Sequence, residues 1–229
     1  MKTDLKGKIA VVTGSAGTMG RAVVSFLKED GLTVFGLDLH GDFPCDVSDP
    51  VAVKRAIGKI GRVDVLVNNA GILSNNKAEA TTAEEWHKVL AANLDGAFFL
   101  AREVIPGMKA RRWGRIVNTC SLAAKTGGLT AGTAYATSKG ALTSLTFSLA
   151  RELAAFGVTV NGISPAYVKT PMVTEQLTEA QRQALIAQIP VGRFCEPEEF
   201  AHVVRFLVSP LAGFITGEIV DLNGGLVMD

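Results

Sequence analysis

Short apolar runs rich in β-branched residues alternate along this chain with longer stretches whose apolar positions recur at helical spacing. The predicted strands are residues 9–13, 34–38, 63–68, 115–119, 158–164 and 218–222. The predicted helices are residues 19–30, 50–60, 83–108, 135–156 and 197–208. Strands separated by helices of this length are typical of βαβ units. The pattern predicts an α/β fold with a doubly wound parallel sheet, whose ligands bind at the carboxyl ends of the strands.

The connection after the second predicted strand is too short to hold a helix. That strand ends near Asp38, and only residues 39–43 separate it from Pro44. A crossover between parallel strands needs about a dozen residues or more. We therefore predict that the helix after strand two is missing, and that residues 39–47 form a loop or an irregular edge strand. The ligand site should then be unusually open on that side.

Length and composition favour one soluble domain that spans all 229 residues. The formal net charge is +1, from 23 basic and 22 acidic residues without a basic stripe, so nucleic acid is not an expected partner. No apolar run is long enough to cross a bilayer, and the first residues do not resemble a secretion signal. We therefore expect a cytoplasmic protein without membrane contact. The cysteines and histidines are scattered, which favours neither disulfides nor a metal site.

A glycine-rich turn follows the first predicted strand and opens the first predicted helix. Glycines at this point permit a tight turn and a close approach of the backbone to a pyrophosphate. The helix N-terminus adds free N–H groups and a dipole that favours phosphate. An ordinary strand-to-helix turn is the alternative, but the position after the first strand favours a dinucleotide on a Rossmann-type sheet. The candidate cofactor-binding residues are Gly14, Ser15, Gly17, Thr18, Met19 and Gly20.

Asp38 lies at the end of the second predicted strand, where dinucleotide-binding sequences carry an acid. A carboxylate there can accept hydrogen bonds from both adenosine ribose hydroxyls, and it would repel a 2′-phosphate. No arginine or lysine follows closely enough to neutralise such a phosphate. The sequence therefore predicts NAD(H) rather than NADP(H) as the cofactor.

Tyr135 and Lys139 are four residues apart, which places them on one face of a helix. A phenol ordinarily has a pKa of about 10 and is a poor base at neutral pH, but a nearby ammonium favours the phenolate. A surface pair on an ordinary helix is the alternative. The chemical interpretation gains weight from three polar sites elsewhere: the turn at residues 68–71, Asn93, and Ser121 after the fourth predicted strand.

With these residues in this order, and with Val160-Asn161-Gly162 and Thr170-Pro171 downstream, the chain resembles the compact, single-domain type of the short-chain dehydrogenase/reductase family. The resemblance runs from Lys8 almost to the C-terminus. It implies that Tyr135 is the general acid/base and that Lys139 favours its phenolate and binds the nicotinamide ribose. It also implies that Ser121 holds the carbonyl oxygen, with Thr119 as the neighbouring hydroxyl, and that Asn93 positions a water in a proton relay. The further cofactor contacts it implies are Asp46, Val47, Asn69, Ala70, Gly71, Pro165, Val168 and Thr170.

Two segments depart from the usual pattern of the compact family members. Thr18 stands where they carry a second glycine, a form that resembles the larger epimerases and dehydratases, and the loop between Ser121 and Tyr135 is slightly longer. Residues 167–193 cover the region where the family varies its substrate lid. A capping box at Thr178 and Gln181 predicts a helix there. The apolar residues of this predicted lid are Met172, Val173, Leu177, Leu185, Ile186 and Ile189.

The leading hypothesis is an NAD-dependent alcohol dehydrogenase or ketoreductase that acts on a 3-oxoacyl compound or on a cyclic or aromatic ketone. Lys125, Lys169 and Arg193 are candidates for binding an anionic substrate group. The resemblance also implies a homotetramer or homodimer. A dihydrodiol dehydrogenase is an alternative within the same class. A non-catalytic NAD-sensing scaffold is an alternative from another class, and a sugar-nucleotide epimerase would need a substrate domain that this sequence lacks.

Overall fold

The structure is a computed structural model that describes residues 4–41, 43–171, 175 and 178–228. The strands are β1 (Ile9–Thr13), β2 (Thr33–Asp38), β3 (Phe43–Pro44), β4 (Val65–Asn68), β5 (Gly114–Thr119), β6 (Val158–Pro165) and β7 (Ile219–Leu222). The helices are α1 (Thr18–Glu29), α2 (Pro50–Ile60), α3 (Ala83–Leu90), α4 (Gly96–Arg111), α5 (Ala123–Thr126), α6 (Thr133–Leu153), α7 (Glu179–Ile186) and α8 (Pro197–Val208).

These strands form one parallel sheet in the order β3-β2-β1-β4-β5-β6-β7. The strands β2 and β3 are added on one side of β1, and the strands from β4 onwards are added on the other side. A crevice therefore opens at the carboxyl ends of β1 and β4, where the strand order changes sides. Apolar side chains bury both faces of the sheet, with α2, α4 and α6 on one face and α1 and α8 on the other. The predicted doubly wound α/β fold is confirmed. No helix in the described part of the chain is long and apolar enough to span a membrane.

The missing helix after β2 is also confirmed for the residues that the structure describes. β3 pairs directly with β2 through Leu37 with Phe43 and Asp38 with Pro44. The N–H of Cys45 then donates to the carbonyl oxygen of Asp38 at 2.7 Å. The first helix after β2 is α2, which begins at Pro50. The short connection thus forms an edge strand at the side of the crevice where Asp38 lies.

The helix predicted for residues 83–108 differs from the structure because its middle forms a π-helical turn. Ala91–Asp95 separates α3 from α4, and such turns occur often at functional sites. Asn93 lies within this turn, and its side chain bonds the backbone of Ile72 instead of facing solvent. Hydrophobic spacing does not reveal this interruption, because the apolar positions continue on both sides of it.

The structure contains two helices, α5 and α7, that the hydrophobic spacing did not predict. α7 begins with the predicted capping box: the Thr178 hydroxyl accepts the Gln181 N–H at 3.2 Å, and the Thr178 N–H donates to the Gln181 side chain at 2.9 Å. Met172, Val173 and Leu177 of the predicted lid lie outside the described residues.

Candidate functional site

A cleft of about 620 Å³ opens at the carboxyl ends of the central strands. Several residues that the sequence predicts for catalysis or cofactor binding line it together: Met19, Asn69, Gly71, Ser121, Tyr135, Lys139, Pro165, Val168 and Thr170. The parallel topology explains this convergence, because residues that end β4, β5 and β6 meet at one edge of the sheet. The described walls also include several apolar residues that sequence reasoning did not assign: Ile72, Leu73, Leu122 and Leu129.

Lys139 is held between the end of β5 and the ring of Tyr135. Its side chain is buried, with 3% of the residue exposed. The ammonium donates to the carbonyl oxygen of Thr119 at 2.7 Å and lies 5.7 Å from the centre of the Tyr135 ring. The helical spacing places both side chains on the cleft side of α6. The arrangement can stabilise negative charge on the phenol oxygen.

The Ser121 side chain lines the cleft just after the end of β5. Its oxygen accepts the N–H of Ala123 at 3.2 Å. Because a hydroxyl has one donor and two acceptor sites, this bond leaves the Ser121 hydrogen available for a substrate oxygen. Thr119, the alternative hydroxyl, has a buried Oγ1, and its carbonyl group binds Lys139.

Asn93 is buried behind the cleft in the π-helical turn. Its Oδ1 accepts the N–H of Ile72 at 2.8 Å, and its Nδ2 donates to the carbonyl oxygen of Ile72 and to Ser138 Oγ, both at 3.0 Å. Both amide hydrogens are therefore used within the protein. The Ser138 hydroxyl donates in turn to the carbonyl oxygen of Tyr135 at 2.7 Å. Sequence reasoning missed Ser138, although its place between Tyr135 and Lys139 is a signal.

The glycine turn packs closely and leaves the start of α1 without a side-chain cap. Gly14 has a φ of +63°, and a Cβ atom at Gly20 would lie 2.1 Å from the carbonyl oxygen of Gly14. Gly17 is the N-cap of α1 and supplies no side chain to its N–H groups, and the first turn carries no acid. Thr18 is the first residue of α1, so the absence of a glycine there does not disturb the turn. These features fit a nicotinamide dinucleotide.

Asp38 lies beside this turn, at the end of β2. Its Oδ2 accepts the N–H of Ala16 at 2.9 Å, and its Oδ1 accepts the N–H of Leu39 at 2.8 Å. A carboxylate offers about four acceptor sites, so acceptor capacity remains for ribose hydroxyls. Leu39 is 60% exposed, which agrees with the open side expected from the missing helix.

The turn after β4 is tied to the glycine turn by Thr13. The Thr13 hydroxyl accepts the N–H groups of Asn69 and Ala70 at 3.0 and 2.9 Å. The Asn69 side chain donates to the carbonyl oxygens of Thr13 and Gly14 at 3.0 and 3.2 Å. Sequence reasoning did not single out Thr13, although a hydroxyl at the last position of β1 is a readable signal. These bonds join β1 and β4 at the point where the strand order reverses.

Asp46 and Val47 lie outside the described lining of the cleft. The Asp46 carboxylate accepts the Ser48 N–H at 2.9 Å and the Ser48 hydroxyl at 2.7 Å. Val47 is buried against α4, where a Cβ atom at Gly96 would lie 2.8 Å from it. Their contacts in this structure fix the segment between β3 and α2.

The cleft carries little charge. Lys139 is the one Lys, Arg or His side chain among the described residues that line it. The three candidate anion-binding residues form ion pairs elsewhere: Lys125 with Asp221 at 2.6 Å, Lys169 with Glu196 at 3.1 Å, and Arg193 with Glu199 at 2.6 Å. Burial raises the pKa of the Cys120 thiol, so this wall residue stays neutral at physiological pH. The cleft therefore suits an uncharged substrate body.

Comparison with known proteins identifies the family. Residues 14–227 match a family model described as Enoyl-(Acyl carrier protein) reductase. The 3-oxoacyl-(acyl-carrier-protein) reductase FabG of Vibrio cholerae is 39% identical, over 98% of this chain and 99% of the relative. A 3-oxoacyl-(acyl-carrier protein) reductase structure from Brucella melitensis has a TM-score of 0.95 and 33% identity, over 99% of this chain and 94% of that one. A Beutenbergia cavernae structure, described as an NAD(P)-dependent gluconate 5-dehydrogenase with NADP at low occupancy, has a TM-score of 0.92 and 32% identity, over 99% of both chains. The chain belongs to the short-chain dehydrogenase/reductase family and is an oxidoreductase.

Proposed function

We propose that this protein transfers a hydride between NAD(H) and a 3-oxoacyl compound or a similar neutral ketone. The observation that carries the proposal is the meeting of Tyr135, Lys139 and Ser121 in a cleft whose other described walls are uncharged. The names of the relatives support a 3-oxoacyl substrate. The single charged wall residue argues against a substrate that is itself recognised through a carboxylate or phosphate near the reacting carbon.

The protein's own part in the reaction is proton transfer and orientation. When bound, the nicotinamide supplies or accepts the hydride. In the reducing direction, the Tyr135 hydroxyl donates its proton to the substrate oxygen, and the Ser121 hydrogen binds the same oxygen. The buried Lys139 ammonium stabilises the phenolate that remains on Tyr135. Asn93 contributes by holding Ile72 and Ser138, and thereby the wall of the cleft beside Tyr135. A positioned acid of this kind contributes about 10²- to 10⁴-fold to a rate.

The preference for NAD(H) is the finer part of the proposal. Asp38 lies against the glycine turn, where its carboxylate can bind ribose hydroxyls and repel a 2′-phosphate. The NADP in the Beutenbergia cavernae structure belongs to that protein, so both cofactors must be compared directly.

The decisive experiment follows cofactor absorbance with NADH and with NADPH across a panel of 3-oxoacyl thioesters, cyclic diketones and aromatic ketones, with dihydrodiols tested in the oxidising direction. We expect turnover with NADH and a 3-oxoacyl thioester. Preference for a cyclic ketone or a dihydrodiol would mean that this compound class, and not a 3-oxoacyl compound, is the substrate. Tight cofactor binding without turnover of any compound would support the sensing scaffold instead.

Replacing Tyr135 with Phe is the matched test of the proton-transfer role. The change removes only the phenol oxygen and keeps the ring against Lys139. We expect kcat to fall by at least about 10²-fold, while the dissociation constant for NADH, measured by fluorescence, stays within about twofold. Substantial residual turnover would show that another group supplies the proton.

A further inference from the structure

The loop between α5 and α6 forms one wall of the cleft. It covers residues 127–132, and Gly127 and Gly128 begin it with φ angles of +73° and +84°. Three of its residues line the cleft: Leu129, Thr130 and Ala131. Leu129 remains 60% exposed, so burial of its own side chain does not hold the loop in place. Some other contact must fix its position.

Lys77 makes two such contacts from the segment that follows β4. Its ammonium donates to the carbonyl oxygen of Ala131 at 2.7 Å and to that of Gly128 at 3.3 Å. One side chain therefore bridges both ends of the turn that carries Leu129. Hydrogen bonds from a charged donor are about twice as strong as neutral ones. The two bridged residues are more than fifty positions away from Lys77 in the sequence.

The segment around Lys77 is itself well anchored. The Gly132 N–H donates to the carbonyl oxygen of Ser74 at 2.7 Å. The side chains of Ser74 and Asn76 both donate to the carboxylate of Glu85 in α3. These bonds lower the pKa of Glu85, so the carboxylate stays charged at neutral pH. The bond from Gly132 therefore ties the C-terminal end of the loop to this segment, and Lys77 ties the Gly128 and Ala131 carbonyl groups on either side of Leu129.

We propose that Lys77 is a positioning residue for substrate specificity: it holds the 127–132 loop over the cleft so that Leu129 contacts the part of the substrate remote from the reacting carbonyl. This inference rests on the proposed function, because it assumes a ketone in the same cleft. A 3-oxoacyl thioester with a medium-length chain then gains binding from Leu129, and a short ketone does not. Lys77 forms its side-chain bonds to the loop and not to Tyr135, Lys139 or Ser121.

The test compares Lys77→Met, which keeps most of the length of the side chain without its charge, with Lys77→Arg, which keeps a charged donor. Lys59→Met on the exposed face of α2 is the matched control. For a medium-chain 3-oxoacyl thioester, we expect Lys77→Met to raise KM roughly tenfold, because the substrate chain then loses its apolar contact with Leu129. We expect kcat, the KM for a short ketone and cofactor affinity to stay within about twofold. Lys77→Arg should recover most of the affinity, and Lys59→Met should behave as the wild type.

A double-mutant cycle with Leu129→Ala shows whether Lys77 acts through the loop. If it does, the two substitutions together should raise KM no more than either does alone, because both remove the same contact. Amide hydrogen exchange of residues 128–132 should also become faster in Lys77→Met. Equal losses on short and long substrates, full additivity with Leu129→Ala, or unchanged exchange would overturn the inference. A wild-type enzyme that turns over no ketone would instead contradict the proposed function, and the exchange measurement would still decide whether Lys77 holds the loop.

Discussion

At the scale of single residues, a polar side chain can donate to a substrate only if it has a donor hydrogen that is not already bonded within the protein. Ser121 accepts the Ala123 N–H and keeps its own hydrogen for the cleft. Asn93 uses both amide hydrogens on Ile72 and Ser138. The two residues therefore have different proposed parts, although the family resemblance places both in the catalytic set. On the proposed function, we expect replacement of Ser121 to remove a contact to the substrate and replacement of Asn93 to loosen the wall behind it.

Asp38 gives a test of cofactor choice at this scale. Replacing Asp38 with Ser and Leu39 with Arg removes the carboxylate beside the glycine turn and adds a cation at an exposed position. We expect the ratio of kcat/KM for NADH over NADPH to fall at least about tenfold, because the arginine can bind a 2′-phosphate and the carboxylate no longer repels it. The ratio is measured with one ketone at fixed pH.

The control for this test is Asp38→Asn, which keeps the size of the side chain and removes its charge. It should weaken NADH use without creating strong NADPH use. If the double variant kept the wild-type ratio, Asp38 would have no part in reading the ribose.

Gly20 gives a second residue-scale test. A Cβ atom there would lie 2.1 Å from the Gly14 carbonyl oxygen, so the glycine turn must shift in Gly20→Ala. We expect the free energy of unfolding to fall by about 1–3 kcal/mol, as for other overpacked sites, and NADH binding to weaken. Denaturant unfolding and a cofactor titration measure the two effects.

Gly58→Ala in α2 is the matched control, because a Cβ atom there has open space around it. This variant should gain about 0.5–1 kcal/mol, since alanine loses less entropy than glycine in a helix. A Gly20→Ala variant as stable as Gly58→Ala would show that the turn tolerates a side chain.

At the scale of elements, the first turn of α8 joins the end of the predicted lid to the body of the protein. Arg193 donates to both carboxylate oxygens of Glu199 at 2.6 and 2.8 Å. Glu199 also accepts the Glu196 N–H at 2.8 Å as part of a capping box. Hydrogen bonding to Arg193 is the largest cause that lowers the pKa of Glu199, to about 2. Cys195 interacts with both partners, and burial, followed by the charge of Glu199, raises its pKa to about 11.

The lowered pKa of Glu199 predicts a stability contribution with a defined pH range. A carboxyl group whose pKa is lower in the folded state stabilises the fold above its ordinary pKa and loses that contribution as pH falls through the folded value. The contribution of Glu199 is therefore complete above about pH 4.5 and disappears towards pH 2. The pair is partly exposed, so we expect Glu199→Gln to cost no more than about 1 kcal/mol at pH 6.

Unfolding free energies of the wild type and Glu199→Gln, measured between pH 6 and pH 2, check this expectation. The difference should shrink steadily below pH 4.5. A difference that stayed constant down to pH 2 would mean that packing, and not the charge of Glu199, stabilises this turn.

At the scale of the whole molecule, three phenylalanine side chains are exposed to solvent in the single chain. Phe98 on α4 and Phe147 on α6 are 43% and 49% exposed, and Phe214 after α8 is fully exposed. Larger apolar patches commonly mark interaction sites. The homotetramer or homodimer implied by the family resemblance stays a prediction, and the resemblance further implies that α6 pairs between subunits.

Phe147→Glu tests this assembly. We expect the wild type to sediment as a dimer or tetramer and Phe147→Glu to shift towards a smaller species, because a charge would be buried at the contact. Val51→Glu, at a position 70% exposed on α2, should leave the sedimentation coefficient unchanged. A monomeric wild type would refute the prediction outright.

The sequence by itself determined the features that depend on neighbouring residues. The alternation of apolar runs specified the parallel sheet, the short segment after Asp38 excluded a helix, and the spacing of Thr178 and Gln181 specified a capping box. Tyr135 and Lys139 could be paired because helical geometry alone puts them on one face. Each of these inferences needs only distances along the chain.

The tertiary structure alone decided the contacts between distant segments. The bond of Asn93 to Ile72 joins residues 21 positions apart, and that of Lys77 to Ala131 joins residues 54 apart. The position of the 127–132 loop and the low charge of the cleft depend on such contacts. A cation's partner depends on which segments the fold brings together. The sequence could therefore name Lys125 and Arg193 as candidates, but it could not show that each forms an ion pair outside the lining of the cleft.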